Sequence, residues 1–212
     1  MPGKTYDQYC GIAAALDRVG DRWTLLVMRE LSFGEQRFTD LKLRLPGIAS
    51  NLLTERLRAL EDDGLVEQRE LPAPAARSVY ALTDEGRRVV PVLRALSTFG
   101  QPFLGEPPAD GVRPEMAVYS GLGSRVDLAA ATGVRLAARF LVDGQELWLR
   151  VDDGRLERGD AGAAPDLEVT GSSVSLLRWV RGESRADLVG LLEVTGSDAE
   201  VTEFARIFHL HD

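Results

Sequence analysis

QRFTDLKLRLPGIASNLLTERLRALEDDGLVEQRELPAPAARSVYALT, residues 36–83, is the stretch that decides the fold. Phe38, Leu41 and Leu45 recur at helical spacing, so a first short helix has one face to bury. Pro46-Gly47 ends it, because proline disfavours helical dihedrals in the residue before it and glycine accepts turn dihedrals. Leu53, Leu57 and Leu60 then stripe a second helix, while Asn51, Glu55 and Arg58 fall on its opposite face with Ser50 and Thr54 beside them. Asp63-Gly64 closes that helix, Leu65-Val66 opens a strand, and Val79–Leu82 returns as its partner. The intervening LPAPAA, residues 71–76, suits a wing tip better than a central strand. Thr83 is placed to cap a following helix, with Asp84 and Glu85 in its first turn. Helix, turn, helix, hairpin is the order of a winged helix-turn-helix, which lays its second helix in the DNA major groove.

Charge divides the chain. Residues 1–104 hold 14 Lys and Arg against 14 Asp and Glu, whereas residues 105–212 hold 11 against 19 and supply the whole net charge of −8. An acidic second half is repelled by a polyanion, so duplex binding is expected of the first half alone. The segment GQPFLGEPPADGVRPE, residues 100–115, carries four of the ten prolines and three glycines, which is linker chemistry. The expected division is therefore 1–104, a linker at 105–116, and 117–212. No apolar run reaches membrane-spanning length and no signal-peptide pattern opens the chain, so a soluble cytoplasmic protein is expected.

The second half alternates differently. RLAARFLVDGQELWLRVDDG reads as two strands hinged at Asp143-Gly144, with Leu147, Leu149 and Val151 on one face and Glu146, Trp148 and Arg150 on the other. DLEVTGS (166–172) and LLEVTG (191–196) are further strands. SSVSLLRWVRG (172–182) is a helix closed by Gly182, SRADLVG is a shorter one, and Ser197 with Glu200 forms a capping box before a last helix carrying Val201, Phe204, Ala205 and Phe208. That mixture predicts an α+β domain with helices on one sheet face, so the whole chain is α+β.

Two resemblances carry these readings further. YCGIAAALDRVGDRWTLLVMREL, GEQRFTDLKLRLPGIASNLLTERLRALEDDGLVEQ and VYALTDEGRRVVPVL, with Cys10, Gly20, Trp23, Gly34, Arg37-Phe38, Leu45–Ile48, Leu82-Thr83 and Gly86 as marks, resemble the HxlR-type winged-helix regulators of bacteria over roughly residues 9–99. The resemblance implies a homodimer reading a palindromic operator, with Ala49–Leu60 as the recognition helix and Arg37 and the wing on phosphate. Ala49-Ser50-Asn51 stands where such helices carry basic residues, Glu55 where an amide or a base is usual, and Gly11 where a proline commonly follows the cysteine. An acid at Glu55 reads only cytosine N4 or repels phosphate. Arg56, Arg58, Arg69 and Arg77 are the remaining phosphate candidates. Residues 117–210 resemble the sterol carrier protein-like fold in their VDG and DDG hairpins, DLEVTGSS, WVRGES and GLLEVTGSDAEVTEFARIF. That family implies an apolar cavity between sheet and helices, or in some members a dimerisation or shielding module without one, here with Phe140, Trp148, Leu176, Trp179, Phe204 and Phe208 as lining candidates for an apolar small-molecule effector; plain core packing is the other reading of each.

Cys10 opens the apparent first helix near Arg18 and Arg22, a setting that stabilises a thiolate, so it is the candidate redox residue; in the resembled family the matching cysteine senses oxidants in several members. Enzyme signatures, paired cysteines and metal-ligand spacing are absent from the sequence, and His209 and His211 read as exposed tail residues. No cofactor and no catalytic residue is expected. The leading expectation is a dimeric DNA-binding regulator. The alternatives are a carrier or sequestering protein that uses its winged helix to dimerise, and a thiol-based regulator acting through Cys10.

Overall fold

The computed structural model describes residues 5–71, 77–108, 112–159 and 164–211. It comprises two compact units, Met1–Leu93 and Arg94–Asp212.

In the first unit, α1 (Gly11–Val19) and α2 (Thr24–Ser32) precede α3 (Phe38–Arg44) and α4 (Ser50–Asp62), which are followed by β1 (Val66–Leu71), β2 (Arg77–Leu82) and the single turn α5 (Asp84–Arg87). The core collects Val27, Met28 and Leu31 of α2 with Leu41, Leu45, Ile48, Leu53, Leu57 and Leu60. Those from Leu41 onward are apolar positions of the quoted stretch, so the helical stripes do find one another. Between α3 and α4 the chain turns at Gly47, whose φ of 93° lies in the left-handed region that side chains resist. Lys42 Nζ donates to the carbonyl of Ile48 and braces that turn from α3.

β1 and β2 pair antiparallel, with Val66 opposite Leu82 and Leu71 opposite Arg77. The expected wing tip at 71–76 falls, beyond Leu71, outside the described residues. A third, one-residue partner was not foreseen: the Gln36 N–H donates to the carbonyl of Tyr80 (3.0 Å) and the Gln36 carbonyl accepts the Tyr80 N–H (2.8 Å). Thr83 caps α5 as expected, its hydroxyl accepting from the Gly86 N–H at 3.0 Å and donating to the Gly64 carbonyl at 2.7 Å.

Helix α6 (Val90–Gly100) runs through the division between the units and buries none of its residues; Val92, Leu96 and Phe99 are exposed at helical spacing. In α1 likewise only Ala13 is buried, while Ile12 and Leu16 are exposed.

The second unit is a five-stranded sheet in the order β5-β4-β3-β6-β7, formed by β3 (Arg135–Val142), β4 (Gln145–Asp152), β5 (Arg155–Arg158), β6 (Leu167–Gly171) and β7 (Leu192–Gly196). β3 and β6 are parallel and the other neighbours antiparallel. Asp143-Gly144 and Asp153-Gly154 turn the two hairpins with φ positive at both residues, the arrangement that matches strand twist. Helices α7 (Ser173–Val180) and α8 (Asp198–Phe208) share one core with the sheet. Ser172 and Ser197 cap them by reciprocal side-chain and backbone bonds, and Asp143 adds an acceptor for the Ser173 N–H at 3.0 Å. The SRADLVG segment forms a single 3-10 turn, Arg185–Leu188, in place of the short helix expected there. Sequence reading missed β5 and the wide helical turn Met116–Gly121, whose Ala117 and Val118 join the core.

Candidate nucleic-acid interface

The two faces of helix α4 part cleanly. Leu53, Leu57 and Leu60 are buried; Ser50, Asn51, Glu55 and Arg58 are exposed and Thr54 is half-buried. The Thr54 hydroxyl donates to the Ser50 carbonyl (3.0 Å), which leaves its oxygen as the outward acceptor. Asn51 and Arg58 make no hydrogen bond or ion pair among the described residues, so an amide and a guanidinium are held ready on a rigid helix. Arg37 sits at the N-terminus of α3, its N–H bonded to the Asp40 carboxylate (3.3 Å), directly after the Gln36 that bridges to Tyr80 of the wing. Exposed donors on α4 beside an arginine at a helix start are the side-chain types that contact base edges and phosphates in duplex DNA. Tyr80 lies beside this surface, and burial, with Glu61 second, pushes its phenol above the usual range. It is therefore a neutral hydroxyl at neutral pH.

Two of the arginines proposed for phosphate are otherwise engaged. Arg56 is only 12 % exposed, and its guanidinium is paired with Asp21 of the α1–α2 connection and with Glu55 at 2.6 Å. On the helical wheel Arg56 lies ~60° from Leu53, between Leu60 and the half-buried Leu52, so its stem packs inward and its head braces α4 against the preceding helices. Arg56 is thus a brace within the fold. Arg69 is held by Glu67 and Glu35, and its hydrogen bond to Glu67 raises its pKa further. Arg77 opens β2, but its side chain lies outside the described residues. Arg56→Met is expected to lower stability by about 1 kcal/mol and to leave the salt dependence of DNA binding unchanged. Arg58→Ala is expected to reduce that slope by about one. Titrations at several salt concentrations separate the two roles.

Cys10 is exposed at the N-cap of α1. The backbone N–H groups of Ala13 and Ile12 at the start of α1 lower its thiol pKa. The expected help from Arg18 and Arg22 does not arise in the structure: Arg18 pairs with Asp63, and Arg22 lies over the Trp23 ring at 5.7 Å.

The apolar candidates of the second unit are not one set. Phe140, Leu176, Trp179, Phe204 and Phe208 are fully buried together, with Phe204 4.6 Å from the Phe208 ring centroid and 6.2 Å from those of Phe140 and Trp179. Trp148 does not belong with them. In the β3–β4 register Phe140 pairs with Leu147 and Arg139 with Trp148, so the indole projects from the opposite face of the sheet, where its N–H donates to Glu146 (2.8 Å). Among the described residues no group of three His, Cys, Asp or Glu side chains forms a metal cluster, and no helix is long and apolar enough to cross a membrane.

Residues 18–107 match the family model described as HxlR-like helix-turn-helix. An uncharacterized HTH-type transcriptional regulator of Methanothermobacter thermautotrophicus is 36 % identical over 98 residues, covering 46 % of this chain and 75 % of that protein. The HTH-type transcriptional regulator YodB of Bacillus subtilis is 30 % identical over 90 residues, covering 42 % and 80 %. Among solved structures, the reduced form of YodB is similar with a TM-score of 0.41 and 27 % identity, covering 48 % of this chain and 100 % of that one. With the family model matched over residues 18–107 and a relative 36 % identical that the chain covers to 75 %, the chain belongs to the HxlR-like helix-turn-helix family.

Proposed function

We propose that this protein is a dimeric, sequence-specific DNA-binding transcriptional regulator whose second unit takes an apolar small-molecule effector. The observation that carries the DNA-binding part is the division of α4, with its leucines buried and Ser50, Asn51, Glu55 and Arg58 exposed beside the wing. The dimer is supported by the apolar stripes that α1 and α6 leave uncovered, since an exposed row such as Val92, Leu96 and Phe99 is a cost to a lone protomer. Two copies related by a twofold axis would present two α4 helices to half-sites about 10–10.5 base pairs apart. Footprinting a duplex selected from a random library tests this directly. A palindromic footprint with that spacing supports the reading; protection of a single half-site overturns the dimeric one.

The effector rests on the α+β unit, which takes the division 117–212 and the sterol carrier protein-like fold as part of the proposal. Helices α7 and α8 cover one face of its sheet through Leu176, Trp179, Phe204 and Phe208, the arrangement in which such a cavity would open. An effector acts only by binding the DNA-competent and incompetent states with different affinity. Native mass spectrometry of freshly purified protein reads out the ligand: an extra mass of a few hundred daltons on the dimer supports it, and a bare dimer counts against it.

A second reading is favoured by Cys10, which is exposed and has its thiolate stabilised by the start of α1. A lowered pKa means that alkylation by iodoacetamide reaches half its maximal rate at a lower pH in the folded protein than in the unfolded chain. Equal midpoints would remove the thiolate argument. Cys10→Ser abolishes any oxidant response of DNA binding if this thiol is the sensor.

A further inference from the structure

Glu55 is an acid on the surface that meets DNA, and the structure gives it an unusual constraint. Its side chain is 66 % exposed, yet one carboxylate oxygen is held at 2.6 Å by Arg56, which is itself largely buried and anchored on Asp21. The second oxygen accepts no hydrogen bond from any described residue. A carboxylate normally rotates freely at a helix surface; this one is oriented by a braced guanidinium and keeps one acceptor open. Resting on the reading of α4 as the recognition helix, we infer that Glu55 is a base-reading residue that accepts a hydrogen bond from the N4 amino group of a cytosine in each half-site.

The chemistry leaves few other choices. An ionised carboxylate has no donor, so it cannot bond the acceptors of guanine N7 and O6 or thymine O4, and phosphate repels it. In the major groove the exocyclic amines are the available donors. That of cytosine stands without the adjacent N7 acceptor that accompanies the adenine amine, which would face the carboxylate with like partial charge. Arg56 also lowers the cost of bringing the acid to the duplex, although with Asp21 the three groups still sum to one negative charge. The proposal therefore makes two effects of Glu55 move in opposite directions: it adds discrimination and subtracts general affinity.

The test selects duplexes from a random library with wild-type protein, Glu55→Ala and Asn51→Ala, with circular dichroism confirming that each variant is folded. Wild type is expected to enrich cytosine at one position of each half-site, and Glu55→Ala to lose that preference while binding unrelated duplex more tightly. Changing that cytosine to thymine should weaken wild-type binding about tenfold and Glu55→Ala binding less than about twofold. If Glu55→Ala keeps every base preference while Asn51→Ala changes the motif, the cytosine assignment falls and the recognition helix stands. If neither variant changes the motif, both fall.

Discussion

Gly86→Ala is expected to destabilise the winged-helix unit by about 3 kcal/mol, the upper range for inserting a carbon where none fits. A Cβ at this position would lie 1.9 Å from the carbonyl oxygen of Leu65. That oxygen cannot retreat cheaply, because it accepts the Thr83 N–H at 3.1 Å, and Thr83 in turn bonds both Gly86 and Gly64. The end of α4, the start of β1 and the start of α5 are therefore closed into one knot around a missing side chain. Urea denaturation followed by tryptophan fluorescence measures the effect; a midpoint unchanged from wild type would mean that α5 docks elsewhere.

Phe204→Ala carries the second large expectation, a loss of about 3–5 kcal/mol from the second unit. Phe204 is the ring through which Phe140 of the sheet, Trp179 of α7 and Phe208 of α8 meet. Removing it takes a contact from both covering helices at once, so the cavity cannot be closed by moving one neighbour. The measurement is again the denaturation midpoint. Phe208→Ala, farther from the sheet in this chain of contacts, is the comparison; a Phe204 loss below about 1 kcal/mol would show that the helices are held by other means.

Much of the winged helix was legible because its punctuation is local. Pro46-Gly47, Asp63-Gly64 and Thr83 each act through their own backbone, and the leucine spacing fixes which side of α4 is buried. Arg56 shows what the sequence carries beyond its charge: its place on the helical wheel sets it at the border of the leucine stripe, where its head pairs with Asp21. Trp148 is similar. The two-residue turn at Asp143-Gly144 fixes Val142 opposite Gln145, and counting back pairs Phe140 with Leu147 and Arg139 with Trp148. The register excluded the indole from the Phe140 face before any coordinates. Other features were not readable in this way. The Gln36–Tyr80 bridge joins residues distant in sequence through backbone groups, which leave no side-chain signature. β5, Arg155–Arg158, is an edge strand with one apolar residue, too short to show a period. Glu55 appeared as an anomaly because its partner Arg56, on the same helix, is anchored on Asp21 of the α1–α2 connection, which lies far away in sequence.

The central claim is that the exposed face of α4 reads DNA, and one titration tests it most directly. Fluorescence anisotropy of a selected duplex, at fixed salt, compares wild type with the Asn51→Ala/Arg58→Ala double variant. Both side chains are exposed and make no bond among the described residues, so the fold is expected to survive their removal. Loss of one base contact and one phosphate contact should lower specific affinity by about 2–4 kcal/mol, roughly 30- to 1000-fold. A double variant that is folded and binds the same duplex as tightly as wild type would contradict the account.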